Sequence, residues 1–150
     1  MELGLFMMPL HPPGRILSES YDEDLELIKH ADKVGFSEVW VGEHMLLPWE
    51  NIPTPELFIA RALGDTDQIV FGTGVVLLHE HNPVHVANRI AMLDHLAKGR
   101  LMFGIGSGGS PSDAEILGIQ GEPAIDEVEV IGGECDEAVE GVQCAGGLWR

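Results

Sequence analysis

Basic residues are scarce in this chain. Eight Lys and Arg stand against 25 Asp and Glu, a formal net charge of −17 over 150 residues. A surface this acidic repels nucleic acid and anionic lipid, and no Lys/Arg cluster offsets it. DNA- and RNA-binding functions are therefore excluded. Cysteine is almost absent: Cys135 and Cys144 lie nine positions apart near the end, a spacing that makes neither a zinc site nor a disulfide framework. A reduced, cytoplasmic compartment is expected. No window approaches the ~18 apolar residues of a membrane span. The opening MELGLFMMPL has no basic region, and Pro9 ends its apolar run, so it does not read as a signal peptide.

What is present is an ordinary globular composition, 45% hydrophobic and 22% charged, in a length of about one domain. Strand and helix patterns alternate. Short apolar runs at 2–8, 38–42, 69–78 and 100–105 read as strands. Helical periodicity occupies 21–35, with Leu25, Ile28, Ala31 and Val34 on one face and Gly35 as its stop. Further helices are expected over 55–64 and 83–97, each opened by a proline, and near 112–118. A β-α-β-α-β-α-β rhythm of roughly 30 residues per unit means a parallel sheet with crossover helices. Both a doubly wound sheet and a (β/α)8 barrel fit, and both place functional residues at the C-terminal ends of the strands. Residues 121–150 break the pattern. They carry eight acids, one base and six glycines, and show no helical or strand period.

Several constellations fall at strand ends. Glu43 and His44 follow the second strand in WVGEHMLLPWENIP. A carboxylate beside a histidine can tune imidazole basicity, and the same pair also fits a solvated loop histidine. HEHNPVH supplies His79, His81 and His85, but Pro83 interrupts their alignment and no metal-ligand spacing is completed. Pocket lining or a polar loop are the readings left. GTGVV places Gly72 and Gly74 inside an apolar strand, where glycine marks a bulge or the close approach of a flat ligand. GIGSGGS follows the fourth strand, whereas a dinucleotide fingerprint belongs after the first strand of its unit. A Gly/Ser loop offering amides to a ligand fits better. Trp49, in the long loop, reads as a pocket roof or a loop anchor.

Together these stretches resemble a known family. GEH after strand two, GTGVVLL at strand three and NPVHVANRIAMLDHLAKGRLMFGIGSGG through strand four look like the bacterial luciferase-like flavin monooxygenases. WVGEHMLLPWENIPTPELFIA and FGIGSGGSPSD are similar to the limonene 1,2-monooxygenase-like branch. The resemblance covers residues 1–120 and implies the N-terminal half of a (β/α)8 TIM barrel, four βα units in all. It implies FMN, reduced by a separate NAD(P)H-dependent flavin reductase, and transfer of one oxygen from a flavin C4a-hydroperoxide to an apolar small molecule such as a monoterpene. His44, with Glu43 beside it, matches the family's catalytic histidine. Gly74 and Val75, a peptide that is often cis in the family, and Gly106, Ser107 and Gly108 match its cofactor-binding backbone. In luciferases proper a reactive cysteine stands where this chain has Gly106, which argues against light emission. Met8, Trp49 and His81 are expected to line the substrate end, and no metal is expected. The resemblance also implies a homodimer through the helices near 55–64 and 83–97.

Two other functions remain open: a deazaflavin-dependent hydride-transfer enzyme of the same fold, and an inactive half-barrel fragment. The departure from the family is length. Four units stand where eight are needed, and 121–150 do not match what should follow. A truncated or frameshifted reading frame is the simplest account of that break.

Overall fold

In the computed structural model, residues 2–108 and 110–118 are described. The irregular stretch expected over 121–150 lies outside them. The chain begins with β1 (Gly4–Met7), α1 (Leu17–Val34) and β2 (Glu38–Val41). Helix α2 (Pro55–Leu63) leads to β3 (Val70–Thr73) and β4 (Val76–Leu77). A 3₁₀ turn, Leu78–Glu80, precedes α3 (Pro83–Ala97). Strands β5 (Leu101–Met102) and β6 (Ile105–Gly106) and helix α4 (Pro111–Leu117) complete the described residues.

The strands pair in the order β1-β2-β3-β5, all parallel, with β4 and β6 forming a second parallel pair. Side chains alternate across a strand, so each strand offers one set to the helices and the other to the opposite face. Met7, Val39, Val41 and Phe71 face the helices and bury against Leu25, Ile28, Ile59, Leu63 and Leu93. Trp40 belongs to the other set, beside Phe6, which is 60% exposed. Its indole is where a Cβ on Gly72 would have to go. Glycine at 72 is thus explained by the packing of a neighbouring ring.

Three helices open on proline, at 55, 83 and 111, where a missing N–H costs nothing. Asn82 caps α3 by accepting from the N–H groups of Val84 and His85 at 3.0 and 3.3 Å. The NPVH stretch is therefore a helix start. Helix α1 begins at Leu17, four residues before the expected position. Serine hydroxyls compete for backbone partners and so blur a helix start, but Ser20 is buried in the first turn and its hydroxyl donates to the Ile16 carbonyl at 3.5 Å. Val34 leaves the apolar face and is exposed. Phe36 packs there instead, its N–H bonded to the Ala31 carbonyl at 3.0 Å.

The strands expected over 69–78 and 100–105 are each two strands. The first break falls at Gly74–Val75, which is a cis peptide. The second falls at Phe103–Gly104, where the buried Thr73 hydroxyl stands in for the ladder. It donates to the Gly104 carbonyl at 2.8 Å and accepts from the Gly104 N–H at 2.9 Å. No helix among the described residues is long and apolar enough to cross a membrane.

Candidate active site

The C-terminal strand ends converge on one strip of backbone and small side chains. A Cβ on Gly42 would lie 2.8 Å from Met8 Sδ and 3.5 Å from the Gly74 carbonyl. A Cβ on Gly106 would lie 2.7 Å from Val75 Cγ2, and one on Gly108 would lie 2.5 Å from His79 Cε1. Gly108 also has φ +71°, which a side chain would strain. Met8 thus packs on Gly42, Phe6 on Gly74, Val75 on Gly106 and His79 on Gly108, each too closely to admit a side chain at the glycine. Ser107 lies between Gly106 and Gly108. Its hydroxyl makes one long bond, to the Gly108 carbonyl at 3.3 Å.

The neighbours Glu43 and His44 serve different partners. Glu43 is buried, and its two oxygens are taken by the Leu77 N–H at 2.7 Å and by His81 Nε2 at 2.6 Å. The carboxylate expected to tune His44 thus holds the start of the 3₁₀ turn and the ring of His81. That bond raises the His81 pKa, with burial opposing it. His81, expected at the substrate end, directs its Nε2 to Glu43.

His44 finds its carboxylate elsewhere. Its Nε2 lies 3.0 Å from Glu50 Oε2, and both side chains are about four-fifths buried. Its Nδ1 is buried without a hydrogen-bond partner. The His44 N–H donates to the Ile52 carbonyl at 3.0 Å, so the loop folds back over the strand end. Trp49, at the loop's tip, is 53% exposed and its carbonyl accepts from the His11 N–H at 2.7 Å.

A third group adjoins Gly108 through His79. The side chains of His79 and Glu80 are almost wholly buried, with His79 Nε2 3.6 Å from Glu80 Oε1. Burial lowers the His79 pKa. Burial, then the charges of Asp113 and Glu43, push the Glu80 carboxyl up to about 7. Among the described residues no group of three His, Cys, Asp or Glu is placed to hold a metal ion. His79 and His81 turn to Glu80 and Glu43, and His85 sits in the first turn of α3.

Sequence reasoning missed Glu50, His11, Asp24 and Asp113. Glu50 follows Trp49 in a loop with no period, so only its place in a post-strand loop could have flagged it. Asp113 carries only the signal of an acid in the first turn of α4, after Pro111.

Four parallel βα units with their polar groups gathered at the strand ends define a barrel-type α/β protein with an enzyme-like site. The luciferase-like monooxygenase family model matches residues 1–140, and the chain belongs to that family. It is 48% identical over 119 residues to 4-hydroxyprotoasukamycin monooxygenase of Streptomyces nodosus subsp. asukaensis, covering 79% of this chain and 32% of that protein. It is 42% identical over 119 residues to limonene 1,2-monooxygenase of Rhodococcus erythropolis, covering 79% and 31%. Among solved structures, the oxygenating constituent of 3,6-diketocamphane monooxygenase from Pseudomonas putida, in complex with FMN, superposes with a TM-score of 0.81 at 33% identity. That match covers 93% of this chain and 38% of the other. The fold is thus the N-terminal part of a (β/α)8 barrel, and the chain spans about a third of the length of the curated relatives it matches.

Proposed function

We propose that this chain carries the flavin-facing portion of an FMN-dependent monooxygenase that transfers one atom of O2 to an apolar small molecule, such as a monoterpene or a cyclic ketone. The observation that carries the reading is the strip from Met8 through Gly74 and Val75 to Gly108. It is backbone-rich, lies at the strand ends, and belongs to a chain similar to an FMN-bound oxygenase. A flat ring fits such a surface, and the Ser107 hydroxyl is available to a polar ring edge. Reduced FMN held there would supply the electrons that activate O2, and in this reading a separate NAD(P)H-dependent flavin reductase would deliver it.

The chain's own residues then have distinct tasks. Val75, Gly106 and Gly108 hold the ring face. His44 holds or accepts a proton at Nδ1, and Glu43 acts indirectly by fixing the 3₁₀ turn beside the strip. Met8 and Trp49 offer apolar surface to the substrate and keep water out. Two copies associate through α2 and α3, whose outer faces expose Leu57, Met92 and Leu96.

The test supplies the purified chain with FMN, NADH, a flavin reductase and a monoterpene under 18O2. One labelled oxygen in the product supports the reading. Unlabelled substrate, with flavin bound, contradicts it. Binding of a deazaflavin in place of FMN, read from difference spectra, favours hydride transfer instead.

A further inference from the structure

We propose that Glu50 is the positioning residue of His44, fixing the ring proton on Nε2 and leaving Nδ1 as a free acceptor, and that His11 is the clamp that keeps Glu50 in place. The inference deepens the oxygenase reading and rests on it for the role of His44, although its geometry does not depend on flavin.

The first half follows from acceptor chemistry. An ionised carboxylate has lone pairs only, and it lies 3.0 Å from His44 Nε2. Two lone pairs repel at that distance, so the proton of a neutral ring resides on Nε2. The other nitrogen then carries the lone pair, and Nδ1 is the one with no protein partner. A histidine held this way carries its lone pair at a single defined atom, buried beside the loop.

The second half follows from how the loop of residues 47–52 is held. This loop, which contains Pro48 and ends before Pro53, has no sheet ladder to define it. Contacts from the segment after β1 and from α1 replace the ladder. The His11 N–H donates to the Trp49 carbonyl at 2.7 Å, and Leu10 forms an antiparallel bridge with Glu50 itself. The His11 ring is buried between Asp24 Oδ2, 2.8 Å from Nε2, and Asn51 Oδ1, 2.5 Å from Nδ1. The Tyr21 hydroxyl donates to the Asn51 carbonyl, and its ring meets His11 edge-on at 5.8 Å. His11 thus touches residues on both sides of Glu50. Nothing in the strip or in the Glu43–His81 pair requires so many contacts on this loop, whereas a fixed Glu50 does.

The experiment reads the ring nitrogens of His44 by long-range 1H–15N correlation on the labelled chain above the ring's titration, with His44→Gln to assign the signals. The expected pattern is a single tautomer with the proton on Nε2. Glu50→Ala is expected to move both nitrogen signals towards the averaged positions of a free ring. Glu50→Gln, whose amide oxygen can still accept, is expected to keep the original pattern. His11→Ala is expected to reproduce the Glu50→Ala shifts with Glu50 still present. A proton on Nδ1 in the unaltered chain overturns the proposal, and so does Glu50→Ala with unchanged His44 signals. Backbone amide spectra check that each variant is folded, and the unaltered chain decides the tautomer if Glu50→Ala is not. FMN titration runs in parallel: the expected tautomer without FMN binding sinks the oxygenase reading and leaves this one standing.

Discussion

The Glu80 side chain is fully buried, and neither it nor Asp113 has a hydrogen-bond donor. Two such carboxyls cannot both stay ionised without cost, which is why Glu80 is pushed up to about 7 by burial and by its acidic neighbours. The folded chain therefore keeps a proton that the unfolded chain loses near 4.5. That stabilisation is fully present below the unfolded value and is lost as pH rises through the folded one. His81, raised by Glu43, follows the same direction, while His79, lowered by burial, opposes both; the Glu80 shift is the largest and sets the sign. The urea midpoint is expected to fall between about pH 5 and about pH 8, and Glu80→Gln is expected to flatten much of that fall. An unchanged slope in the variant would remove Glu80 from the account. Glu43→Ala strands both the Leu77 N–H and His81, at an expected cost of about 3 kcal/mol. Glu43→Gln, which can still accept from Leu77, should cost less on the same urea curves. The sequence made Glu43 and His44 look like a pair because adjacency is visible in a string. Their divergence arises in the loop after β2, which ends at Val41, and the true partners, Glu50 and His81, arrive from loops that have no period.

At the scale of elements, a single side chain joins α1 to the entry of β3. Asp32 accepts from the N–H groups of Asp67, Gln68 and Ile69 at 3.0, 3.1 and 2.7 Å. Burial alone would raise its pKa, but those three bonds and the charge of Arg100 outweigh it and hold the carboxyl below its usual value. Asp32→Ala is expected to cost about 2–3 kcal/mol and to speed hydrogen exchange at residues 67–69 before the rest of the sheet. Uniform loss of protection would instead mean that this link is no weaker than the whole. Helices α2 and α3 were legible to within a residue, because proline, glycine and apolar period agreed at both ends. The strand breaks were not. Hydrophobicity runs unbroken through 69–78, and the pairing change at Gly74–Val75 depends on Thr73 and Gly104, which meet only in three dimensions.

Across the whole molecule, the four-unit plan was readable from repeat length and apolar runs, and the family from the stretch between Asn82 and Gly108. The family match continues to residue 140, past the limit of 120 set where the periodicity fades. The exposed apolar residues of α2 and α3, Leu57 at 69% and Met92 at 65%, are expected to be covered in a dimer. Sedimentation velocity should then show a dimer that Leu57→Glu with Met92→Glu converts to monomer. A monomeric unaltered chain would leave those faces as ordinary surface. The central claim is that the strip at the strand ends is a flavin site. Its most direct test is fluorescence quenching of FMN by the purified 150-residue chain. Saturable quenching in the micromolar range, weakened by a bulky residue at Gly106, is the expected result. No quenching up to millimolar FMN would contradict it.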